Sequence, residues 1–422
     1  MSKILILTLT EQRDKPVDER LAQCLRDMGH EVMVRNFVLA GSDAVTVEKP
    51  DAVVLPMIGS DHKLNFARQI KEWGVVTIVR RGEAGAGRVA LEQMDEDRQR
   101  VVVGDYDYAE HIDLELVWGQ EFADILAERG RMEARKLVAC GPFTLDVCTQ
   151  YERQARPGKR RVLFATAFSA ADDHPDYTEC GLPEGNPLQR RLYARHAELR
   201  ALWIATIKNL VATKSHKYDF ALKVRPGEST RAYQEAFGKT VQILPYDYPS
   251  GQAIAASDVV VHAGSTMAIE AHLLGVPSLN FANCNPDPIL ANACPQVNDY
   301  GELSEALGRL VWGRSNIDTD KLTWLEDHLY GPLDGSACHR AAEAISRVLR
   351  KGRKKPQIPD QWPREPRYQR QDTTAEPGPD HVRMICPSCK NMFGLHHESQ
   401  WGVCPFCALT VRKIIAQEAA VA

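Results

Sequence analysis

Asp258-Val-Val-Val-His262-Ala-Gly264-Ser265-Thr266-Met-Ala-Ile-Glu270-Ala-His272-Leu-Leu-Gly275-Val-Pro277 decides the fold. Asp258 to His262 reads as a buried strand, the small residues after it as a turn, and Thr266 to Leu274 as a helix that Gly275 and Pro277 end. A strand that opens through a tight turn directly into a helix is the βα unit of a parallel sheet. Such a unit points free backbone N–H groups and the positive end of the helix dipole at the strand's carboxyl edge, where a phosphate binds. Ser265 or Thr266 then caps the helix or bonds a phosphate oxygen, and Glu270, one turn on, reaches sugar hydroxyls. Spacing alone equally allows two ordinary N-caps and a solvated glutamate. His262 reads either as a ligand beside this place or as a packed strand terminus.

Working outward, Lys223-Val-Arg225-Pro226-Gly-Glu228 follows a strand at Tyr218 to Val224 and therefore emerges on the same sheet edge. Lys223 and Arg225 beside a helix N-terminus suit a diphosphate or phosphate leaving group. The pattern around them repeats: strands at Arg161 to Thr166, Val241 to Leu244 and Ser278 to Phe281 alternate with helices at Pro187 to Ala212 and Gly251 to Ala256. Residues 1 to 150 alternate in the same way. Ile4 to Leu9, Val32 to Val34, Asp51 to Pro56, Val75 to Val79 and Val101 to Val103 read as strands, and a helix from about Pro16 carries Leu21, Leu25 and Met28 on one face. The polar stretch Glu152 to Lys159, with Pro157-Gly158, separates the two sets. The expectation is an α/β chain of two Rossmann-like domains, 1–150 and 160–350, facing a cleft in which a ligand sits.

The segment Val259 to Ala271 with Leu-Leu-Gly275-Val-Pro277, the stretch Lys223 to Glu228, and Leu333-Asp-Gly-Ser-Ala-Cys-His-Arg-Ala-Ala-Glu-Ala-Ile345 resemble the bacterial surface-carbohydrate biosynthesis proteins, glycosyltransferases and relatives of the GT-B fold. The resemblance implies that residues 160–350 bind a nucleotide sugar through Lys223, Arg225, His262, Gly264, Ser265, Thr266 and Glu270. It also implies that residues 1–150 face a glycan or lipid-linked acceptor. Relatives carry His-Pro where this chain has Arg225-Pro226, so that histidine's role has no bearer here; Arg225 supplies positive charge alone. A sugar-nucleotide epimerase, a glycerophosphotransferase of similar build and a non-catalytic scaffold are the alternatives.

An inverting transfer needs a base for the acceptor's proton, and in this fold it comes from the first domain. Two loops there carry candidates: Ser60-Asp61-His62, and Arg80-Arg81-Gly82-Glu83-Ala-Gly85-Ala-Gly87. Glu83 in its glycine-rich loop is the first choice, with Asp61 and His62 behind it. The plainer readings are a carboxylate paired with Arg80 or Arg81, and an exposed turn. Thr8 to Arg13 after the first strand contains no glycine, which argues against NAD.

Residues 351–382 combine basic residues and prolines with few apolar ones, the composition of a linker without fixed structure. After it, in 383–415, Cys386-Pro-Ser-Cys389 and Cys404-Pro-Phe-Cys407 form two C-x₂-C knuckles, the spacing of a zinc ribbon holding one structural Zn²⁺. His396 and His397 lie between them but four thiolates already complete the site. Such a module serves contacts, so a protein partner through the ribbon is expected. The totals fit this organisation: 422 residues exceed one core, 44% hydrophobic and 26% charged residues are a globular mixture, and a net charge of -4 marks no polyanion partner. Eleven cysteines, seven of them scattered singly, and an N-terminus that reads as a strand suggest a reducing cytoplasm, with the protein at the inner face of the membrane but not integral to it.

Overall fold

The computed structural model describes residues 1–9, 14–58, 61–82, 88–92, 103, 107–154, 158–168, 171, 187–225, 228–245, 247–285, 294–310, 318–350, 354–363, 381–385, 392–396, 401–403 and 410–412. At residues 39, 61, 89, 90, 187–193 and from 381 onward the backbone alone is described. Glu83, Cys386, Cys389, Cys404 and Cys407 lie outside the described residues.

The first domain is built on β1 (Lys3–Thr8), β2 (Glu31–Asn36), β3 (Ala52–Pro56), β4 (Val76–Arg80), β5 (Leu114–Val117) and β6 (Leu137–Ala139), in the order β2-β1-β3-β4-β5-β6. Every pairing is parallel, which requires helical crossovers. Because side chains alternate along a strand, Ile4, Ile6, Val54, Ile78 and Leu116 face one side with Leu21 and Leu25 of α1 (Asp14–Asp27). Leu5, Leu7, Val53, Leu55 and Val79 face the other, with α2 (Phe37–Glu48) and α3 (Asp61–Glu72). The short α4 (Arg88–Glu92), α5 (Gln120–Glu128) and α6 (Phe143–Cys148) complete the domain. The strand expected at Val101 to Val103 is not the fifth strand. Val103, its one described residue, is helical, and the sheet instead uses Leu114–Val117, whose buried Glu115 hides it from a search for apolar runs.

The second domain repeats the plan with β7 (Arg160–Ala165), β8 (Tyr218–Lys223), β9 (Gln242–Leu244), β10 (Val259–His262), β11 (Ser278–Phe281) and β12 (Gln296–Val297), ordered β12-β11-β10-β7-β8-β9 and again parallel. One face packs on α7 (Pro187–Lys214), α8 (Arg231–Phe237) and α11 (Tyr300–Leu310) through Phe164, Trp203, Phe220, Tyr233, Phe281 and Leu307. The other packs on α9 (Ser250–Ala255) and α10 (Met267–Leu273) through Leu163, Ala221, Val260, Ile254 and Ala271. The strand order reverses between β1 and β3 in the first sheet and between β7 and β10 in the second, and ligands of such sheets bind outside the carboxyl ends at the reversal.

After α12 (Thr319–Leu325) the chain crosses back. Helix α13 (Ala337–Leu349), at the end of the stretch expected to close the second domain, lays Ala337, Cys338, Ala341, Ala342 and Ile345 into the core of the first, against α1. Asp146 of α6 accepts from the backbone N–H of Ala337 (3.0 Å) and Cys338 (2.6 Å), satisfying two donors that open α13. The linker expected over 351–382 does not hold for 354–363. Trp362 stacks on Phe66 (centroids 4.7 Å apart) and meets Trp73 edge-on (4.9 Å), Gln357 N–H donates to the Trp73 carbonyl, and Ile358 packs on the same face. One tryptophan and one isoleucine suffice to fasten a segment whose average composition is polar. Two antiparallel hairpins follow: β13 (His381–Ile385) with β14 (Met392–His396), and β15 (Trp401–Val403) with β16 (Thr410–Arg412).

Candidate functional site

The reversal in the second sheet brings together most of the residues the sequence singles out. Asn280, His262, Ala165 and Lys223 are successive register partners across β11, β10, β7 and β8. They lie on the face covered by α9 and α10, two residues beyond Leu163, Ala221 and Val260. Strands stand about 4.8 Å apart, so Lys223 and His262 flank the lone methyl of Ala165 at a separation of roughly 10 Å.

The free amides expected after β10 are in part engaged, which corrects the simplest form of a phosphate turn. Nδ1 of His262 accepts from the N–H of Gly264 (3.2 Å) and of Ser265 (3.3 Å), and Asn280 Oδ1 shares the Gly264 N–H at 3.2 Å. Gly264 has φ +79°, a left-handed conformation that favours glycine. Ser265 Oγ accepts from Met267 N–H (3.3 Å) and so caps α10, as its position predicts. Thr266 is exposed on the turn and makes no side-chain cap bond. His262 is fully buried, and burial pushes its imidazole down to about 4.

Glu270 points inward rather than over the rim. It is 6% exposed, and burial raises its carboxyl, opposed by a hydrogen bond from Ser250 and by the Lys223 charge. Lys223, 7% exposed, donates to the Pro245 carbonyl at 3.4 Å; burial lowers its ammonium, opposed by Asp247 and Glu270. The two are buried charges beside the row, each easing the burial of the other. From the first domain, Cys148 Sγ of α6 approaches the Glu270 carbonyl at 3.7 Å, so α6 touches both the site helix α10 and the crossover helix α13.

Arg225 is exposed at the rim, while its N–H donates to Thr166 Oγ1 (2.8 Å). Glu228, at the end of the same stretch, has a structural part that its position in the sequence does not announce. It is buried and accepts from the Phe168 N–H and the Tyr233 hydroxyl (2.7 Å), tying the loop after β7 to the segment after β8. The only signal for it was an acidic residue three positions beyond the arginine.

On the first domain, Arg80 and Arg81 are buried, and each meets a buried carboxylate. Arg80 Nε lies 2.9 Å from Asp18 of α1, and burial pushes the Asp18 carboxyl up to about 6 against the pull of that arginine. Arg81 Nε lies 2.6 Å from Glu115, with the Tyr108 hydroxyl 2.7 Å from its Nη2, and Trp118 Nε1 donates to the Arg81 carbonyl (3.1 Å). At the start of α4, Arg88 N–H donates to Glu121 (2.7 Å), whose second oxygen meets His328 Nδ1 (2.7 Å). Asp61 and His62 open α3; the exposed His62 ring packs 5.7 Å from Phe37.

No family model matches this chain, and no curated protein matches it. Among solved structures it is similar to the UDP-GlcNAc 2-epimerase of Methanocaldococcus jannaschii, with 12% identity and a TM-score of 0.53, over 82% of this chain and 99% of that one. It is similar to S. aureus MnaA, solved with UDP, with 14% identity and a TM-score of 0.52, over 84% and 99% of the two chains. It is also similar to the wall teichoic acid polymerase TagF, with 11% identity and a TM-score of 0.52, over 82% and 89%. At these identities the likeness shows the fold: two Rossmann-like α/β domains in a GT-B-like arrangement. Among the described residues no helix is long and apolar enough to cross a membrane.

Proposed function

We propose that the chain is a glycosyltransferase that binds a nucleotide-activated sugar at the carboxyl edge of the second sheet and passes the sugar to a surface-glycan or lipid-linked acceptor. The observation that carries this reading is the gathering of Lys223, His262 and Asn280 on one row at the reversal point, with Arg225 and Thr266 exposed beside it. A nucleoside diphosphate leaving group develops negative charge, and cations and donors already in place stabilise it without reorganising. Ligands of the structural neighbours point the same way, since MnaA was solved with UDP. The base would come from the first domain: Glu83, with Asp61 and His62 at the start of α3 as the alternatives. Calorimetric titration of the intact chain with UDP, CDP and CMP tests the reading. Binding of one of them supports it, and no heat with any of the three removes it, leaving a scaffold.

A second reading, sugar-nucleotide epimerisation, is favoured by the fact that the chain covers 99% of the Methanocaldococcus jannaschii UDP-GlcNAc 2-epimerase chain. Incubation with UDP-GlcNAc separates the two. An epimer formed without acceptor supports the second reading, whereas UDP released only when acceptor is present supports the first.

We also infer a structural Zn²⁺ in the tail. The hairpin registers fit it: six residues separate Ile385 from its partner Met392 and six separate Val403 from Thr410, and in each the cysteines are the first and fourth. His396 pairs with His381 at the open end of its hairpin, away from those cysteines in sequence register. Four thiolates close a tetrahedral site, so the ion would supply folding stability and no chemistry. Protein purified without chelator is expected to hold one zinc per chain by elemental analysis, lost on Cys386→Ala together with protease resistance of the tail. Metal-free protein whose tail resists protease equally would exclude it.

A further inference from the structure

We propose that His262 is a positioning residue, whose Nδ1 lone pair clasps the amides of Gly264 and Ser265 and so sets the shape in which the turn offers Ser265 and Thr266 to a nucleotide phosphate. The clasp stands on the coordinates; its consequence for a ligand rests on the nucleotide-sugar reading. A backbone N–H only donates, so an imidazole nitrogen within 3.2 and 3.3 Å of two amides accepts from both and carries no proton. The proton of the ring therefore sits on Nε2. That nitrogen and Asn280 Nδ2 are buried and have no protein partner among the described residues.

The arrangement matches what asparagine or serine does at the start of a helix, where a side-chain acceptor at one residue gathers the N–H groups two and three positions on. Here it is performed by a ring at the end of a strand. Two features restrict it to this geometry. Gly264 at φ +79° turns the chain after it so that the Ser265 N–H also comes back to the ring, and Asn280 Oδ1 in the adjacent strand takes part of the Gly264 N–H at 3.2 Å. Lys223 on β8 and Glu270 on α10 are charged residues on neighbouring elements, and the ring's shift has burial alone as its cause. Burial, which pushes the ring down to about 4, agrees with a neutral imidazole at ordinary pH. With the clasp in place the first two amides are spoken for, and the groups left for a ligand begin at the Ser265 and Thr266 side chains.

Two arms test the proposal on the full chain. In ¹⁵N-labelled protein at neutral pH, long-range proton–nitrogen correlations are expected to show His262, assigned by its loss in His262→Asn, as the Nε2–H tautomer. A protonated Nδ1, in either the other tautomer or the imidazolium, overturns the clasp. For affinity, His262→Ala is expected to weaken UDP or CDP binding by about tenfold, while His262→Asn, which restores an acceptor oxygen, stays within about threefold of the parent. Equal loss in both variants, or no loss in His262→Ala, overturns the positioning role. Should His262→Ala fail to fold, His262→Asn against the parent carries the affinity arm, and loss of about tenfold there overturns it. If the parent binds no nucleotide at all, the nucleotide-sugar reading falls, and the tautomer still decides the clasp.

Discussion

Arg81→Met is expected to lower the unfolding free energy of the first domain by about 3–5 kcal/mol, the usual result of stranding one member of a buried ion pair. Arg81 is 3% exposed and Glu115 fully buried, with 2.6 Å between Nε and Oε1. The guanidinium also takes the Tyr108 hydroxyl and the Val103 carbonyl and lies 5.0 Å over the Phe122 ring. Methionine keeps much of the length and none of the donors. Among the described residues Glu115 would then hold only the Tyr108 hydroxyl (3.2 Å), its Oε2 having no hydrogen-bond partner among them even in the parent. Adding Glu115→Leu removes the stranded charge, and the double variant is expected to recover all but about 1 kcal/mol, because desolvating the pair costs nearly as much as its attraction returns. Urea unfolding followed by tryptophan fluorescence measures both. A single variant within 1 kcal/mol of the parent would show that water reaches the pair.

Lys223→Met is expected to weaken binding of a nucleoside diphosphate by about 30- to 100-fold, the value of one charge-assisted contact made away from bulk water. The ammonium is carried by the last residue of β8, in register with Ala165, and its bond to the Pro245 carbonyl is long at 3.4 Å. A cation held by a strand end is in place before the ligand arrives. Stability should change much less than affinity, since Glu270, already raised by burial, can take up a proton once the lysine has gone. Arg225→Ala, at an exposed position, serves as the comparison: a smaller loss that disappears as salt rises. If Lys223→Met destabilises the chain while affinity is unchanged, the lysine is the structural partner of Glu270 and contacts no ligand.

Much of this architecture was legible from apolar runs alone. Val259 to His262 is apolar up to its carboxyl end, and Tyr218 to Lys223 and Ser278 to Phe281 are short and mostly apolar, so all three read as strands and the residues that follow mark the sheet edge. Two of the failures share one cause, a polar group whose partner is far away in sequence. Glu115 disguises β5 until Arg81, 34 residues earlier, is seen to neutralise it. Arg80 and Arg81 read as a rim until Asp18 and Glu115 claim them. At the candidate site, spacing gave the turn but not the direction of the imidazole, so His262 could be weighed as a ligand or as packing, and its bond to its own turn was outside both. Helix α13 advertised an apolar face of small residues, yet periodicity cannot say which domain that face meets.

Trp362, wedged beside Phe66 and Trp73, makes the chain leave the body of the protein from the first domain although the second domain precedes it. From Pro363 to His381 the covalent chain can extend at most roughly 3.3–3.6 Å per residue, about 60 Å in all, whatever path it takes. Anything the hairpin pair grips is thus leashed at millimolar-scale local concentration to the lobe proposed to receive the acceptor, with no further affinity required of that lobe.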